Sequence, residues 1–131
     1  MQSKKVLIVE DNHDGAESLR HLVEAWGHQA EVAHDGRAGV EAAAAFRPHV
    51  VIMDINMPLM NGYEAAVLLT TADCHTLLIA MTGAPSVETR GRARAAGFHH
   101  HYVKPVELDE LKGLLDSDSL EHLVPGFRLC D

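Results

Sequence analysis

"VVIMDINMPLMNGYEAA", Val50 to Ala66, opens on four consecutive apolar residues, Val50 to Met53, and sets a carboxylate, Asp54, directly at their end. A short uninterrupted apolar run suits a strand buried on both faces, as in a parallel sheet covered by helices on each side. Val6 to Val9 and Leu77 to Met81 are runs of the same kind and predict two more such strands. "QAEVAH", Gln29 to His34, alternates polar and apolar residues, which predicts a less buried strand at a sheet edge. "HYVK", His101 to Lys104, supplies a short fifth strand.

Segments of helical spacing lie between these strands. Ala16, Leu19, Leu22 or Val23 and Trp26 share one face of a first helix, with Gly27 as its stop. A second, alanine-rich helix covers Arg37 to Phe46 and ends before Pro48. A third starts near Gly62 and Tyr63 and runs to about Thr71. Pro85 and Ser86 precede a fourth over Val87 to Ala96, which stops at Gly97. The fifth follows Pro105 and carries Glu107, Asp109 and Glu110 in its first turn, where the helix dipole favours them. The order is (βα)5, and right-handed crossovers make it a doubly wound α/β sheet. Residues 1–115 are expected to form this domain, with 116–131 as a tail of weak signal.

Composition narrows the function. At 131 residues and 47% hydrophobic content, one domain with a real core is expected. A net charge of -8 disfavours a nucleic-acid surface and favours cations and protein partners. Cys74 and Cys130 stand far apart, without the spacing of a disulfide framework or a zinc motif. No apolar run approaches the roughly 20 residues that span a bilayer, and the N-terminus lacks the pattern of a signal peptide. A cytoplasmic protein without membrane contact is the expectation.

In open α/β sheets, ligands bind beyond the carboxyl ends of the strands. Asp54 stands at such an end, and polar residues end other strands too: Glu10 and Asp11 the first, Thr82 the fourth, Lys104 the fifth. Asp11, Asp54 and Glu10 offer hard oxygen ligands suited to a partly hydrated Mg²⁺. With the cation screening their repulsion, one carboxylate can act as nucleophile toward a phosphoryl group, and Asp54 is the central one. The Lys104 ammonium and the Thr82 hydroxyl can then hold phosphoryl oxygens.

"VLIVEDN", "MDINMPLMNGYEAA", "IAMTGAP" and "GFHHHYVKPVELDEL" together resemble the receiver domain of two-component response regulators, in the family's order and from about Lys4 to Leu115. The resemblance implies a flavodoxin-like sheet of strand order 2-1-3-4-5. It implies that Asp54 accepts phosphate from a histidine kinase or histidine phosphotransfer protein, that Asp11, Asp54 and the backbone carbonyl of Asn56 bind Mg²⁺ with Glu10 acting mainly through water, and that Thr82 and Lys104 contact the phosphoryl group. It further implies a cis Lys104-Pro105 bond, and a catalytic role limited to the protein's own phosphorylation and dephosphorylation. Receivers often signal, or dimerise, through the face of the fourth helix, fifth strand and fifth helix. Many carry Tyr or Phe three residues before the lysine as a switch coupled to the threonine. Here His101 holds that position, so His101 and Thr82 are the expected switch pair. Sequences of the form HxVKP resemble receivers attached to hybrid kinases, so both a stand-alone protein and a part of a larger one stay open.

Each residue also has a plainer explanation. Glu10, Asp11 and Asn12 alone would be a capped helix start, Thr82-Gly83 an ordinary turn, and Pro58, Asn61 and Gly62 loop-shaping residues. Met53, Met57 and Met60 suit packing. His99 to His101 resemble a metal site, but neighbouring residues near a strand diverge and no further ligand flanks them. Arg90, Arg92 and Arg94 suit a solvated face or a pairing with the acidic start of the fifth helix on a second copy. The competing function is a Mg²⁺-dependent phosphohydrolase that also forms an aspartyl phosphate. Such enzymes commonly carry a second Asp two residues after the nucleophile, where this chain has Asn56.

Overall fold

The apolar runs become the central strands of a five-stranded sheet. The computed structural model describes residues 3–54, 77–83, 87–96, 98, 100–104 and 107–116. In chain order the elements are β1 (Lys5–Val9), α1 (His13–Ala25), β2 (Gln29–Ala33), α2 (Gly36–Phe46), β3 (Val50–Asp54), β4 (Leu77–Thr82), α3 (Val87–Ala96), β5 (His100–Val103) and α4 (Leu108–Asp116). The helix expected near 62–71, the caps Pro85 and Ser86, the stop Gly97, the Lys104-Pro105 bond and residues 117–131 of the tail lie outside the described residues, while Asp116, expected to begin the tail, ends the last helix. The fourth and fifth helices expected from the sequence are therefore α3 and α4.

All pairings are parallel and the strand order is β2-β1-β3-β4-β5. The alternating run is the edge strand β2, and every residue of β3 and β4 is buried. Residues of one parity, Val6, Ile8, Val50, Ile52, Met81 and Tyr102, pack with Ala16 and Val23 of α1 and Leu111, Leu114 and Leu115 of α4. The other parity, Leu7, Val9, Val51, Met53, Leu78 and Ala80, packs with Ala96, Phe98 and the half-buried face of α2. The sheet is thus doubly wound, with helices on both faces.

The helix starts follow local chemistry. Asn12 Oδ1 accepts from the Gly15 N–H at 2.9 Å, and Asp35 Oδ1 from the Ala38 N–H at 2.7 Å. Gly27, at φ 98, closes α1 in the left-handed region where glycine carries no Cβ penalty. Several expected boundaries move by a residue, and two of these shifts bear on the site. β5 spans His100–Val103 rather than His101–Lys104, because Val103 is the last residue in register, opposite Thr82. Glu107 stands just ahead of α4 rather than inside its first turn, and its carbonyl accepts from the Leu111 N–H.

Helix α2 approaches β1 closely at Gly39, where an added Cβ would meet Val9 Cγ2 at 2.9 Å. Val9 is fully buried, and a β-branched side chain has little rotamer freedom with which to retreat. Gly39→Ala is expected to destabilise the fold by about 1 kcal/mol, because overpacking of ~1–3 kcal/mol exceeds the gain of helix propensity near 1 kcal/mol. Urea unfolding checks this, and an unchanged or raised midpoint would mean that α2 can move away.

Candidate functional site

Strand parity decides what meets at the carboxyl rim. Glu10 lies one residue beyond β1, but its N–H still bonds the Ala33 carbonyl at 2.9 Å. Lys104 lies one beyond β5, and its N–H still bonds the Thr82 carbonyl at 2.8 Å. The pleat therefore continues through both residues. Glu10, Asp54 and Lys104 inherit the parity of Ile8, Ile52 and Tyr102, and so they project on the same side of the sheet. Lys104 Nζ sits 2.7 Å from Glu10 Oε1 and 2.9 Å from Asp54 Oδ2, one ammonium bridging two carboxylates.

Glu10 and Asp54 are 7% and 6% exposed, so each charge has left most of its water. Burial, and next the hydrogen bond with Asp54, push the Glu10 carboxyl up from its usual range to about 7, with Lys104 offsetting only part of this. For Lys104, burial works against the charge, but its hydrogen bonds to Asp54 and Glu10 outweigh it and the ammonium is held above its usual value.

Asp11, at the solvent side, completes a group in which one carboxylate oxygen from each of Glu10, Asp11 and Asp54 lies within 4.8 Å of the others. Glu10 Oε2 is buried and has no hydrogen-bond partner among the described residues. An orphaned buried carboxylate oxygen within a set of three hard donors is what a hydrated divalent cation would satisfy, so the residues fit Mg²⁺. Asn56, the remaining ligand expected from the sequence, lies outside the described residues.

Thr82 is fully buried at the end of β4 and has the opposite parity. His101 shares that face: it is in register with Ala80, one step behind the Thr82–Val103 pair, and it is half-buried. The expected switch pair is thus placed on one face of adjacent strands. Of the histidine run, His101 is the residue whose side chain is placed, and the side chain of His100 lies outside the description. His99 lies outside the described residues. A second histidine feature, the His34 ring bonded to the Glu10 carbonyl and stacked on His13, was not expected: the alternation placed His34 at the end of the edge strand, but its partners lie on β1 and α1, far off in the sequence.

The family model described as the response regulator receiver domain matches residues 6–116. The chain belongs to the response regulator receiver domain family of two-component systems. Response regulator MprA of Mycobacterium ulcerans (strain Agy99) is 32% identical to this receiver over 109 residues, covering 83% of this chain and 47% of that protein. Regulatory protein AtoC of Escherichia coli (strain K12) is 34% identical over 107 residues, covering 82% of this chain and 23% of that protein. The receiver thus spans about half the length of MprA and less than a quarter of AtoC. Among solved structures, the chemotaxis protein CheY4 of Vibrio cholerae superposes with a TM-score of 0.81 at 29% identity, over 87% of this chain and 97% of that one. Among the described residues, no helix of the receiver is long and apolar enough to cross a membrane.

Proposed function

We propose that this receiver accepts a phosphoryl group on Asp54 from the phosphohistidine of a sensor histidine kinase or histidine phosphotransfer protein. The observation that carries this reading is the placement of Asp54: a carboxylate 6% exposed, ending a fully buried strand, with an ammonium 2.9 Å away and two further carboxylates beside it. An Asp54 carboxylate oxygen attacks phosphorus, the P–O bond forms as the P–N bond breaks, and the electron pair returns to the donor imidazole. Mg²⁺ held by Glu10, Asp11, Asp54 and the carbonyl of Asn56 would supply the positive charge that lets an anion approach this acidic rim. Lys104 then exchanges a carboxylate partner for a phosphoryl oxygen, and the Thr82 hydroxyl takes another.

His101, on the Thr82 face, is the residue we assign to move with Thr82, and the surface of α3, β5 and α4 is the one read by protein partners or a second copy. Arg92 and Arg94 are exposed on α3, and Glu107, Asp109 and Glu110 at the start of α4. Residues 1–115 act as the switching unit, with 116–131 as a tail. A cytoplasmic location, and catalysis limited to the receiver's own phosphate, go with this assignment.

Incubation with Mg²⁺ and acetyl phosphate is expected to add one phosphoryl group per chain, read by mass spectrometry, and to shift the His101 ring resonances. Sustained release of inorganic phosphate from phosphomonoesters would instead favour the phosphohydrolase. An unmoved His101 would remove it from the switch, and an unchanged sedimentation coefficient would remove the dimer.

The raised Glu10 carboxyl has a consequence for the cation. Its ordinary value is 4.5 and its folded value about 7, so below pH 7 the folded protein holds a proton where the metal needs an anion. Mg²⁺ affinity is expected to fall by about tenfold between pH 8 and pH 6, with proton uptake by Glu10 competing against binding. Calorimetry at the two pH values tests this. Equal affinities would show that Glu10 stays out of the coordination equilibrium.

A further inference from the structure

The peptide that joins Glu10 to Asp11 connects two of the three cation-facing carboxylates, and its carbonyl is held by a side chain rather than by the sheet. The ladder between β1 and β2 runs in parallel register to Val9 opposite Ala33, and the Glu10 N–H to Ala33 carbonyl bond extends it. In a regular parallel ladder the next rung would bring the amide of residue 35 to the Glu10 carbonyl. The chain turns away instead: Asp35 becomes the N-cap of α2, and its side chain accepts from Ala38.

The imidazole of His34 takes the position of the missing rung. Its Nδ1 lies 3.1 Å from the Glu10 carbonyl oxygen. A carbonyl only accepts, so this hydrogen bond forms with the proton on Nδ1, which donates it. The ring is itself fixed by His13, the first residue of α1, whose imidazole lies parallel to it at an interplanar angle of 6° and a centroid separation of 3.7 Å.

We infer that His34 is a positioning residue for the cation site: through its Nδ1–H it locks the Glu10–Asp11 peptide plane, and with it the directions in which Glu10 and Asp11 present their carboxylates. This rests on the reading of those residues as Mg²⁺ ligands. The physical reason lies in where the chain is soft. Between the last rung at the Glu10 N–H and the first cap at Asn12, two residues must turn from strand to helix. Rotation of that one peptide swings the Asp11 Cα while leaving β1 in place. A hydrogen bond on its oxygen stops the rotation, and His13 keeps the donor aimed. Residues that orient ligands without touching the metal commonly carry a large share of metal affinity.

The test uses the full chain and Mg²⁺ itself as the probe. In His34→Phe the ring can still stack on His13 but has no donor, and the Mg²⁺ dissociation constant is expected to rise about tenfold. His34→Asn carries an amide nitrogen at the same position along the side chain as Nδ1, and is expected to bring affinity back to within about threefold of wild type. Urea unfolding of both variants is expected to give similar midpoints, which separates positioning from loss of fold. A second readout needs no metal: relaxation dispersion at the Asp11 amide is expected to appear in His34→Phe and to be quenched in His34→Asn. Wild-type affinity in His34→Phe, or equal loss in both variants, would overturn the inference. If wild type binds no Mg²⁺ while the Asp11 dispersion behaves as described, the peptide lock stands and the assignment of the cation fails instead.

Discussion

Asp54→Ala protein is expected to take up no phosphoryl group from acetyl phosphate and Mg²⁺ while keeping its fold. The fold does not depend on Asp54, because the burial that holds β3 comes from Val50 to Met53, all fully buried and packed alternately into the two halves of the core. What Asp54 contributes is charge at the rim, so its removal should register in the chemistry and in the neighbouring titration. The Glu10 carboxyl is pushed up first by burial, then by its hydrogen bond with Asp54 and by repulsion from it. Without Asp54, only the burial contribution remains against an undivided Lys104, and the carboxyl carbon of Glu10 should titrate well below 7. Persistence of the mass gain in Asp54→Ala would move the acceptor to Asp11 or Glu10. An unmoved Glu10 titration would mean that the two carboxylates do not share the geometry seen here.

The parts of this site legible in the sequence are those that follow from strand periodicity. Val50 to Met53 point to a strand buried on both faces, and the residue after such a run must come out at an edge, so the place of Asp54 follows from the run itself. The same logic placed Glu10 and Lys104, and the alternation of Gln29 to His34 placed β2 at the sheet edge. Contacts made across the sheet by residues far apart in the chain were not legible. Nothing local in "HYVK" says that Lys104 bridges Glu10 and Asp54, since that depends on the shared parity of three strands and on their order.

Histidines carry no periodic signature, and their partners here are backbone groups. His28 and His49 accept through Nδ1 from the N–H groups of Lys4 and Lys5, at 3.0 and 2.9 Å, tying the amino end of β1 to its neighbours. His34 acts at the opposite end of the same strand through the Glu10 carbonyl. Gly39 was unreadable for a similar reason: within an alanine-rich helix it looks like a weak helix former, and only the approach of an added Cβ to Val9 shows why a side chain there is costly.

Lys104→Met is expected to produce the second large effect, with opposite signs in stability and in metal affinity. Methionine keeps much of the apolar stem but leaves two buried carboxylates, Glu10 and Asp54, without their shared cation. Removing one partner of a fully buried pair costs ~3–5 kcal/mol, and because the Lys104 side chain is 34% exposed a loss of about 2 kcal/mol at neutral pH is the appropriate expectation.

The pH dependence follows from the direction of the Glu10 shift. A carboxyl whose folded value lies above its unfolded one binds more protons when folded, so its contribution is fully present below the unfolded value of 4.5 and is lost as pH rises through about 7. Lys104 lowers the Glu10 value, so its removal raises that value further and carries the loss to higher pH. The stability deficit of Lys104→Met should therefore be small near pH 4.5 and grow above pH 7. Mg²⁺ reverses it, because the ammonium no longer competes for Asp54 Oδ2, and the dissociation constant is expected to fall about tenfold at pH 8. Urea unfolding across that pH range, with and without Mg²⁺, separates the outcomes. A deficit that is independent of pH would assign the effect of Lys104 to packing of its stem, and an unchanged Mg²⁺ affinity would mean that ammonium and metal occupy different sides of Asp54.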